Sequence, residues 1–193
     1  MKKTVSSIFL ALLFGYSATA TTPIEDEKKE VNVSQSKVTW KGYKVTGSHD
    51  GTIDLQSGFL MMDGKKLTGG EFVIDMTSIT NTDMTSGNGK EKLEGHLKSD
   101  DFFGVEKHPT AKLVIKSSES FNKNSYTVKG DLTIKGITKP ITLVISMFEN
   151  KATATMKVDR SKFDVRYGSG SFFDDLGDKT IYDEFDLVVD LAL

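Results

Sequence analysis

The sequence contains no cysteine. This absence excludes disulfide bonds, zinc sites built from thiolates, cysteine nucleophiles and a lipid-modified N-terminal cysteine. Stability must therefore come from a packed core. Histidine is also scarce: His49, His96 and His108 are the three residues of this type, and no His-x-x-x-His spacing occurs. These residues are a weak basis for predicting a metal site.

The sequence also lacks a strong excess of charge and a long apolar run. Its 25 basic and 27 acidic residues leave a formal net charge of −2, without long blocks of one sign. Such a balance gives no basis for binding nucleic acid. A membrane-spanning helix requires about 20 consecutive apolar residues. No segment comes near that length, so we expect no transmembrane segment.

The first residues have the pattern of a secretory signal peptide. Lys2 and Lys3 precede an apolar run at 8–14, and the small-residue pattern Ala-Thr-Ala follows at 18–20. This pattern predicts cleavage after residue 20 and export to the periplasm or the medium. Residues 21–33 are polar and without apolar periodicity, which predicts a flexible leader. One domain is expected at 34–193.

Alternation of apolar and polar residues is the main signal in this domain. It is clearest from Tyr126 to Ile134, and a turn at Lys135-Gly136 joins that segment to the next. Such alternation predicts half-buried antiparallel strands. Eight strands are predicted, at 38–45, 52–62, 67–76, 111–116, 126–134, 141–147, 152–158 and 185–193. A short amphipathic helix at about 88–101 and a long aromatic-rich loop at 163–182, before the last strand, interrupt the pattern.

These elements predict an all-β fold, an eight-stranded antiparallel barrel, because closure removes exposed strand edges. An eight-stranded barrel either fills its interior with side chains or holds one small ligand. Small residues leave room, and methionines adapt to irregular apolar shapes. The residues expected to face the interior are Phe59, Ala111, Gly130, Leu132, Ile145, Met147 and Met156. Periodicity alone leaves a filled core and a ligand tunnel equally open.

Four segments of the sequence carry a family resemblance: Glu94 to Phe103 with the following His108 to Ala111, Gly70 to Ile79, Tyr126 to Gly136 and Val158 to Phe163. Together they resemble the YceI-like family of polyisoprenoid-binding proteins. The matches occur in the family's order and extend over about 35–193. The resemblance implies a lipocalin-like barrel that binds an isoprenoid chain, as in a quinone or a polyprenyl phosphate. It implies binding without catalysis and without a further cofactor.

The sequence departs from the family pattern at the end of the barrel. Phe163-Asp164 stands where the family usually has a phenylalanine-glycine pair, and the loop at 168–182 is longer than usual. We therefore expect a different cover over the tunnel mouth. Phe102 and Phe103, which match the family motif, are predicted to close one end of the barrel.

Three polar residues are candidates for contact with a lipid head group. His96 follows Leu93 by three residues and so shares its helix face. We predict that His96 and His49 contact the head group and that Arg160 pairs with an anionic one. The alternative is that His96 caps a helix contact and His49 lies in a solvated turn, where both have structural roles only.

Two other functions remain open from the residues. The same histidines, with Asp75 or Asp101, could hold a divalent ion and act as a metal-assisted hydrolase at the barrel mouth. A filled-core barrel could instead serve as an interaction module. The string Gly168 to Ser171 lacks the Gly-x-Ser-x-Gly order of a nucleophile elbow and does not support serine hydrolysis. The sequence leaves the oligomeric state open, a homodimer included, and is compatible with transient membrane contact.

Overall fold

The computed structural model describes residues 26–193. The predicted signal peptide at 1–20 therefore lies outside the described residues. The strands are β1 (Glu27–Glu30), β2 (Asn32–Lys44), β3 (Gly47–Asp63), β4 (Lys66–Asn81), β5 (Thr110–Asn122), β6 (Ser125–Ile134), β7 (Ile137–Phe148), β8 (Lys151–Asp159) and β9 (Ile181–Ala192). The helix α1 (Lys90–Lys98) lies between β4 and β5. Two 3-10 helices, Arg160–Phe163 and Gly177–Lys179, lie between β8 and β9.

Strands β2 to β9 form a closed antiparallel barrel. Each pairs with its neighbours along the chain, and β9 pairs with β2 to complete the ring. Closure gives hydrogen-bond partners to backbone N–H and C=O groups that would be unpaired at the edges of an open sheet. The predicted fold class, eight strands with one short helix, is confirmed. Within residues 26–193, no helix combines the length and apolar character needed to cross a bilayer.

Of the flexible leader predicted at 21–33, residues 21–25 lie outside the described residues, and Glu27–Glu30 instead form the strand β1. β1 pairs with the far part of β3, from Glu27 opposite Met62 to Glu30 opposite Phe59. Val31 is buried, and its N–H donates to the carbonyl of Gly58. The polar composition of this segment did not predict a strand. The strand forms because β3 extends beyond its pairing with β2 and offers free backbone donors and acceptors.

The two ends of the barrel differ. One, the helix end, carries α1 and the loop between β8 and β9. The other, the closed end, carries the tight β3–β4, β5–β6 and β7–β8 turns. Leu60, Leu67 and Val128 fill the interior near the closed end and are completely buried. Any internal space must therefore lie toward the helix end.

A bulge in β3 explains why one predicted interior residue faces outward. The pairing with β4 shifts between Leu55 and Ser57, which inserts one extra residue into β3. Leu55 faces the core before the shift, and Leu60 faces it afterwards. Phe59 therefore lies on the outer face, where the ammonium of Lys28 sits 4.2 Å from its ring centroid. The predicted inward orientation of Phe59 is wrong because a bulge reverses the strand's faces.

Candidate functional site

The barrel encloses an apolar cavity of about 180 Å³ toward the helix end. All eight barrel strands and α1 contribute to its wall. The alternation of each strand directs one set of apolar side chains inward, which makes the wall almost entirely hydrocarbon. Polar side chains reach the cavity mainly at its mouth, where Arg160 and Tyr182 lie.

Seven of the predicted ligand-binding residues lie on this wall. They are Phe102, Phe103, Ala111, Leu132, Ile145, Met156 and Arg160. Phe102 and Phe103 follow α1, and their rings meet edge to face with centroids 5.0 Å apart. Together with Leu97 of α1 they form the part of the wall that lies at the helix end.

Other wall residues were not among the predicted site residues. They include Trp40, Phe72, Met76, Ile79, Phe185 and Leu187. Their alternation within β2, β4 and β9 was readable, but alternation does not distinguish a wall residue from one packed in a filled core. Only the cross-strand register places them around one cavity.

Gly130 and Met147 do not line the cavity, although both were predicted to do so. Gly130 lies where β5 and β6 approach closely: a Cβ atom there would be 2.5 Å from the carbonyl oxygen of Val114. This glycine permits strand contact and is not part of the cavity wall. Met147 lies beyond Ile145 toward the closed end and packs against the core there.

His49 lies outside the cavity in a polar network at the barrel rim. Its Nδ1 is 3.0 Å from Oδ2 of Asp83. The fully buried Asn81 joins the same network: its amide donates to Asp83 and to the carbonyl of Asp50, and its side-chain oxygen accepts from the N–H of Met84. These contacts hold the segment after β4 against the β2–β3 hairpin. They do not place His49 beside a ligand in the cavity.

His96 also lies outside the cavity, but it touches the cavity's cover. Its ring meets Phe102 edge to face at 5.7 Å and Tyr167 at 4.2 Å between centroids. His96 therefore connects α1 with the loop between β8 and β9. This geometry matches the structural alternative more closely than direct contact with a head group.

Arg160 is buried at the cavity mouth and fixes both ends of the long loop. Its guanidinium donates to the carbonyls of Val165 (2.8 Å), Ile181 (2.9 Å) and Tyr182 (3.2 Å). Burial lowers the pKa of Arg160, which nonetheless stays charged at neutral pH. Three of the five N–H donors of Arg160 bind carbonyls and Asp183 lies beside Nη2, so Arg160 acts mainly as a structural clamp at the mouth.

Asp183 is the charged partner of this clamp. Its Oδ1 lies 3.4 Å from Nη2 of Arg160, and its Oδ2 accepts a hydrogen bond from the hydroxyl of Ser171 at 2.6 Å. Among the residues that the structure covers, the buried Oδ1 has no donor in hydrogen-bonding geometry. The pair therefore interacts through charge, while Ser171 links the acid to the middle of the loop.

Glu94 attaches α1 to the end of β4. Its Oε1 accepts from the hydroxyl of Thr80 (2.6 Å) and from the N–H of Asn81 (2.8 Å). These hydrogen bonds lower the pKa of Glu94, with Lys90 adding a smaller effect. The attachment brings Leu97 of the same helix over the cavity. Glu94 belongs to one of the segments that resemble the family, but the sequence pattern does not predict its attachment to β4.

The structure gives no geometric support to the predicted metal-assisted alternative. Over residues 26–193, no three His, Asp or Glu side chains come together in a way that could hold a metal ion. Asp75, one suggested ligand, instead accepts hydrogen bonds from the hydroxyl and N–H of Thr77.

Comparison with known proteins agrees with this architecture. Residues 30–193 match the model of the YceI-like domain. A UPF0312 protein of Pseudomonas putida is 31% identical over 144 residues, which cover 74% of this chain and 71% of the relative.

Two solved structures share the fold. Burkholderia cenocepacia BcnA superimposes with a TM-score of 0.66 at 22% identity, covering 84% of this chain and 99% of that chain. A polyisoprenoid binding domain from Saccharophagus degradans gives a TM-score of 0.57 at 14% identity, covering 84% and 97%. The match to the domain model spans nearly all of the described barrel, and this chain belongs to the YceI-like domain family.

Proposed function

We propose that this protein is an exported carrier or sequestering protein that binds a long isoprenoid lipid in its barrel and catalyses no reaction. The observation that carries the proposal is the cavity wall, which is hydrocarbon on every strand and opens toward the helix end. The similar fold of a polyisoprenoid binding domain supports the same ligand class.

The binding energy for such a ligand comes from burial alone. A ligand gains about 0.3 kcal/mol for each heavy atom, so a chain of about forty carbons gains at most about 12 kcal/mol. The apolar wall supplies no group that distinguishes one isoprene unit from the next. Selection among lipids therefore falls to the polar residues at the mouth.

The volume of the cavity decides whether a long lipid chain can enter without movement of the wall. About 180 Å³ is smaller than the roughly 300–1,000 Å³ of most small-molecule sites. A long chain therefore requires wall side chains to move outward. Met76 and Met156 lie on the wall and have unbranched side chains that adopt many shapes. Along β9 the wall runs from Phe185 to Leu191, about 20 Å of strand.

Native mass spectrometry with organic extraction tests the proposal on protein purified from its own cell envelope. We expect a lipid adduct whose extracted mass fits an isoprenoid series. Ala154→Phe would narrow the tunnel, because Ala154 lies on the cavity wall. We expect this variant to lose the adduct or to keep only shorter chains.

Thr155→Phe is the matched control. It adds the same ring to the next residue of β8, which faces solvent. This variant should keep the lipid of the unmodified protein. An unmodified protein without any lipid adduct, and without uptake of added quinone or prenol, contradicts the proposed binding function and leaves the barrel as an interaction module.

A further inference from the structure

We propose that the loop between β8 and β9 docks the helix end of the barrel on a bilayer of zwitterionic lipids. Four aromatic side chains of this region are largely exposed: Tyr167 (48%), Phe172 (39%), Phe173 (49%) and Tyr182 (52%). We call these four residues the aromatic crown. Apolar groups clustered on a surface usually mark a contact with a partner.

Hydrogen bonds connect the chain segments that carry the crown. The N–H groups of Phe172 and Phe173 both donate to the carbonyl of Ser169, which places the two rings on one tight turn. The hydroxyl of Ser171 donates to Asp183, next to Tyr182. The N–H of Ile181 donates to the carbonyl of Gly168, next to Tyr167. The four rings thus rise from segments that are hydrogen-bonded to one another.

The crown lies at the mouth of the apolar cavity, and Arg160 holds the loop that carries it. Arg160 holds Val165 and Tyr182, the two ends of the loop, by hydrogen bonds to their carbonyls. Tyr182 belongs both to the crown and to the cavity wall. A surface that contacts the crown therefore also lies beside the cavity mouth.

The chemistry of the crown fits the interfacial layer of a bilayer. Tyrosine and phenylalanine rings bury apolar area there, and phenol hydroxyls remain among the head groups. A water-soluble partner would leave unexplained why the surface adjoins a hydrocarbon cavity. A bilayer explains it, because a lipid can pass between bilayer and barrel without crossing water. Transfer of lipid between bilayer and barrel rests on the proposed function, but docking on the bilayer does not.

The charge of the loop selects the type of bilayer. Between Asp164 and Glu184 the chain has six acidic and two basic residues, a formal charge of −4. Asp164 pairs with Arg166 and Asp183 with Arg160, and the ammonium groups of phosphatidylcholine and phosphatidylethanolamine complement the other four carboxylates. Anionic lipids repel them. The surface is therefore suited to zwitterionic lipids and unsuited to membranes rich in phosphatidylglycerol.

The opposite end of the barrel supplies an internal control. Phe121 and Phe148 are exposed to 68% and 67%. They lie at the β5–β6 and β7–β8 turns, beside Lys123 and Lys151. The interior near this end is filled, so contact here would give no access to the cavity. The same double substitution of phenylalanine can therefore be made at the helix end and at the closed end, and the effects can be compared.

The experiment is flotation with vesicles of phosphatidylcholine and phosphatidylethanolamine. The paired variant Phe172→Ser with Phe173→Ser should bind at least about tenfold more weakly than the unmodified protein, because the buried ring area is lost. Phe121→Ser with Phe148→Ser should bind as the unmodified protein does. Replacing part of the lipid with phosphatidylglycerol should weaken binding, and added salt should partly restore it.

Thermal unfolding and extracted lipid content of each variant show whether its barrel is intact. Docking through the crown is overturned if the unmodified protein ignores the vesicles, or if the closed-end variant loses as much binding as the crown variant. It is also overturned if sedimentation velocity shows that the crown variant abolishes a dimer, since the crown then joins two copies. Vesicle binding without any extracted isoprenoid supports docking while contradicting the proposed function.

Discussion

The guanidinium of Arg160 lies over the ring of Phe102, with its central carbon 5.3 Å from the ring centroid. This contact links the clamp of the β8–β9 loop to the aromatic cover that follows α1. It stacks a cation on a cavity-wall ring while the hydrogen bonds of Arg160 point away into the loop. The cover of the cavity is therefore a single packed unit made of two distant chain segments.

Replacing this arginine should destabilise the barrel mouth strongly. Arg160→Met leaves Asp183 and three carbonyls without their partner, and we expect the free energy of unfolding to fall by about 3–5 kcal/mol. Urea unfolding measures the change. Arg160→Lys should restore little, because one ammonium cannot reach the three carbonyls that the planar guanidinium joins. A lysine variant as stable as the unmodified protein would contradict the clamp.

The attachment of α1 predicts a pH-dependent stability. Hydrogen bonds from Thr80 and Asn81 lower the pKa of Glu94 in the folded state. The ionised form is therefore stabilised by folding, and its contribution is complete at neutral pH. The contribution declines as pH falls below the ordinary glutamate value of 4.5 and is lost once pH passes below the lowered pKa.

Glu94→Gln tests this dependence. At pH 7 we expect the variant to unfold about 2 kcal/mol more easily, because the amide accepts these hydrogen bonds less strongly than a carboxylate. The difference should shrink as the pH is lowered through the acidic range, since protonated Glu94 resembles glutamine. Urea unfolding at several pH values measures it. A difference that stays constant down to acidic pH would show that the charge of Glu94 has no part in the attachment.

Two glycine substitutions should change stability in opposite directions. Gly130→Ala puts a Cβ atom 2.5 Å from the carbonyl oxygen of Val114, so β5 and β6 must separate, and we expect a loss of about 1–3 kcal/mol. Gly95→Ala meets nothing within 4 Å on the exposed face of α1 and should gain up to about 1 kcal/mol. Thermal unfolding distinguishes the two. Equal effects would contradict the close strand approach at Gly130.

The histidine of α1 should influence stability more than lipid binding. His96→Ala removes ring contacts with Phe102 and Tyr167, and we expect a loss of about 1 kcal/mol with the bound lipid retained. His96→Phe keeps a ring and should recover most of the stability. Quantifying extracted lipid for each folded variant decides the point. Loss of lipid in His96→Ala at unchanged stability would restore the predicted role in head-group contact.

The alternation of apolar residues was sufficient to locate the eight barrel strands. The Tyr126 to Ile134 segment coincides with β6, and the Lys135-Gly136 turn is present with positive φ at both residues. Alternation underestimated the length of several strands because polar residues lie at their ends. β4, for example, extends to Asn81, where the side chain is buried by hydrogen bonds and not by apolar packing.

The residues of the candidate site were predictable only in part, because the cross-strand register decides which side chains face the cavity. Leu132 and Ile145 follow regular alternation and do line the cavity. Phe59 follows a bulge and faces outward, and no local pattern in β3 reveals the extra residue. Arg160 was identified, but its carbonyl partners lie up to 22 residues away along the chain. A sequence shows the donors of such a residue without showing which acceptors the fold provides.

The short strand β1 has a consequence for how this protein behaves in concentrated solution. Over the described chain it is hydrogen-bonded to β3 alone, so its other side presents free backbone groups. That edge has the sequence Glu-Lys-Lys-Glu, and its side chains are mostly exposed. Charged residues on a short edge discourage a second sheet from joining it. The charges on β1 thus protect this edge against aggregation by repulsion and strong hydration.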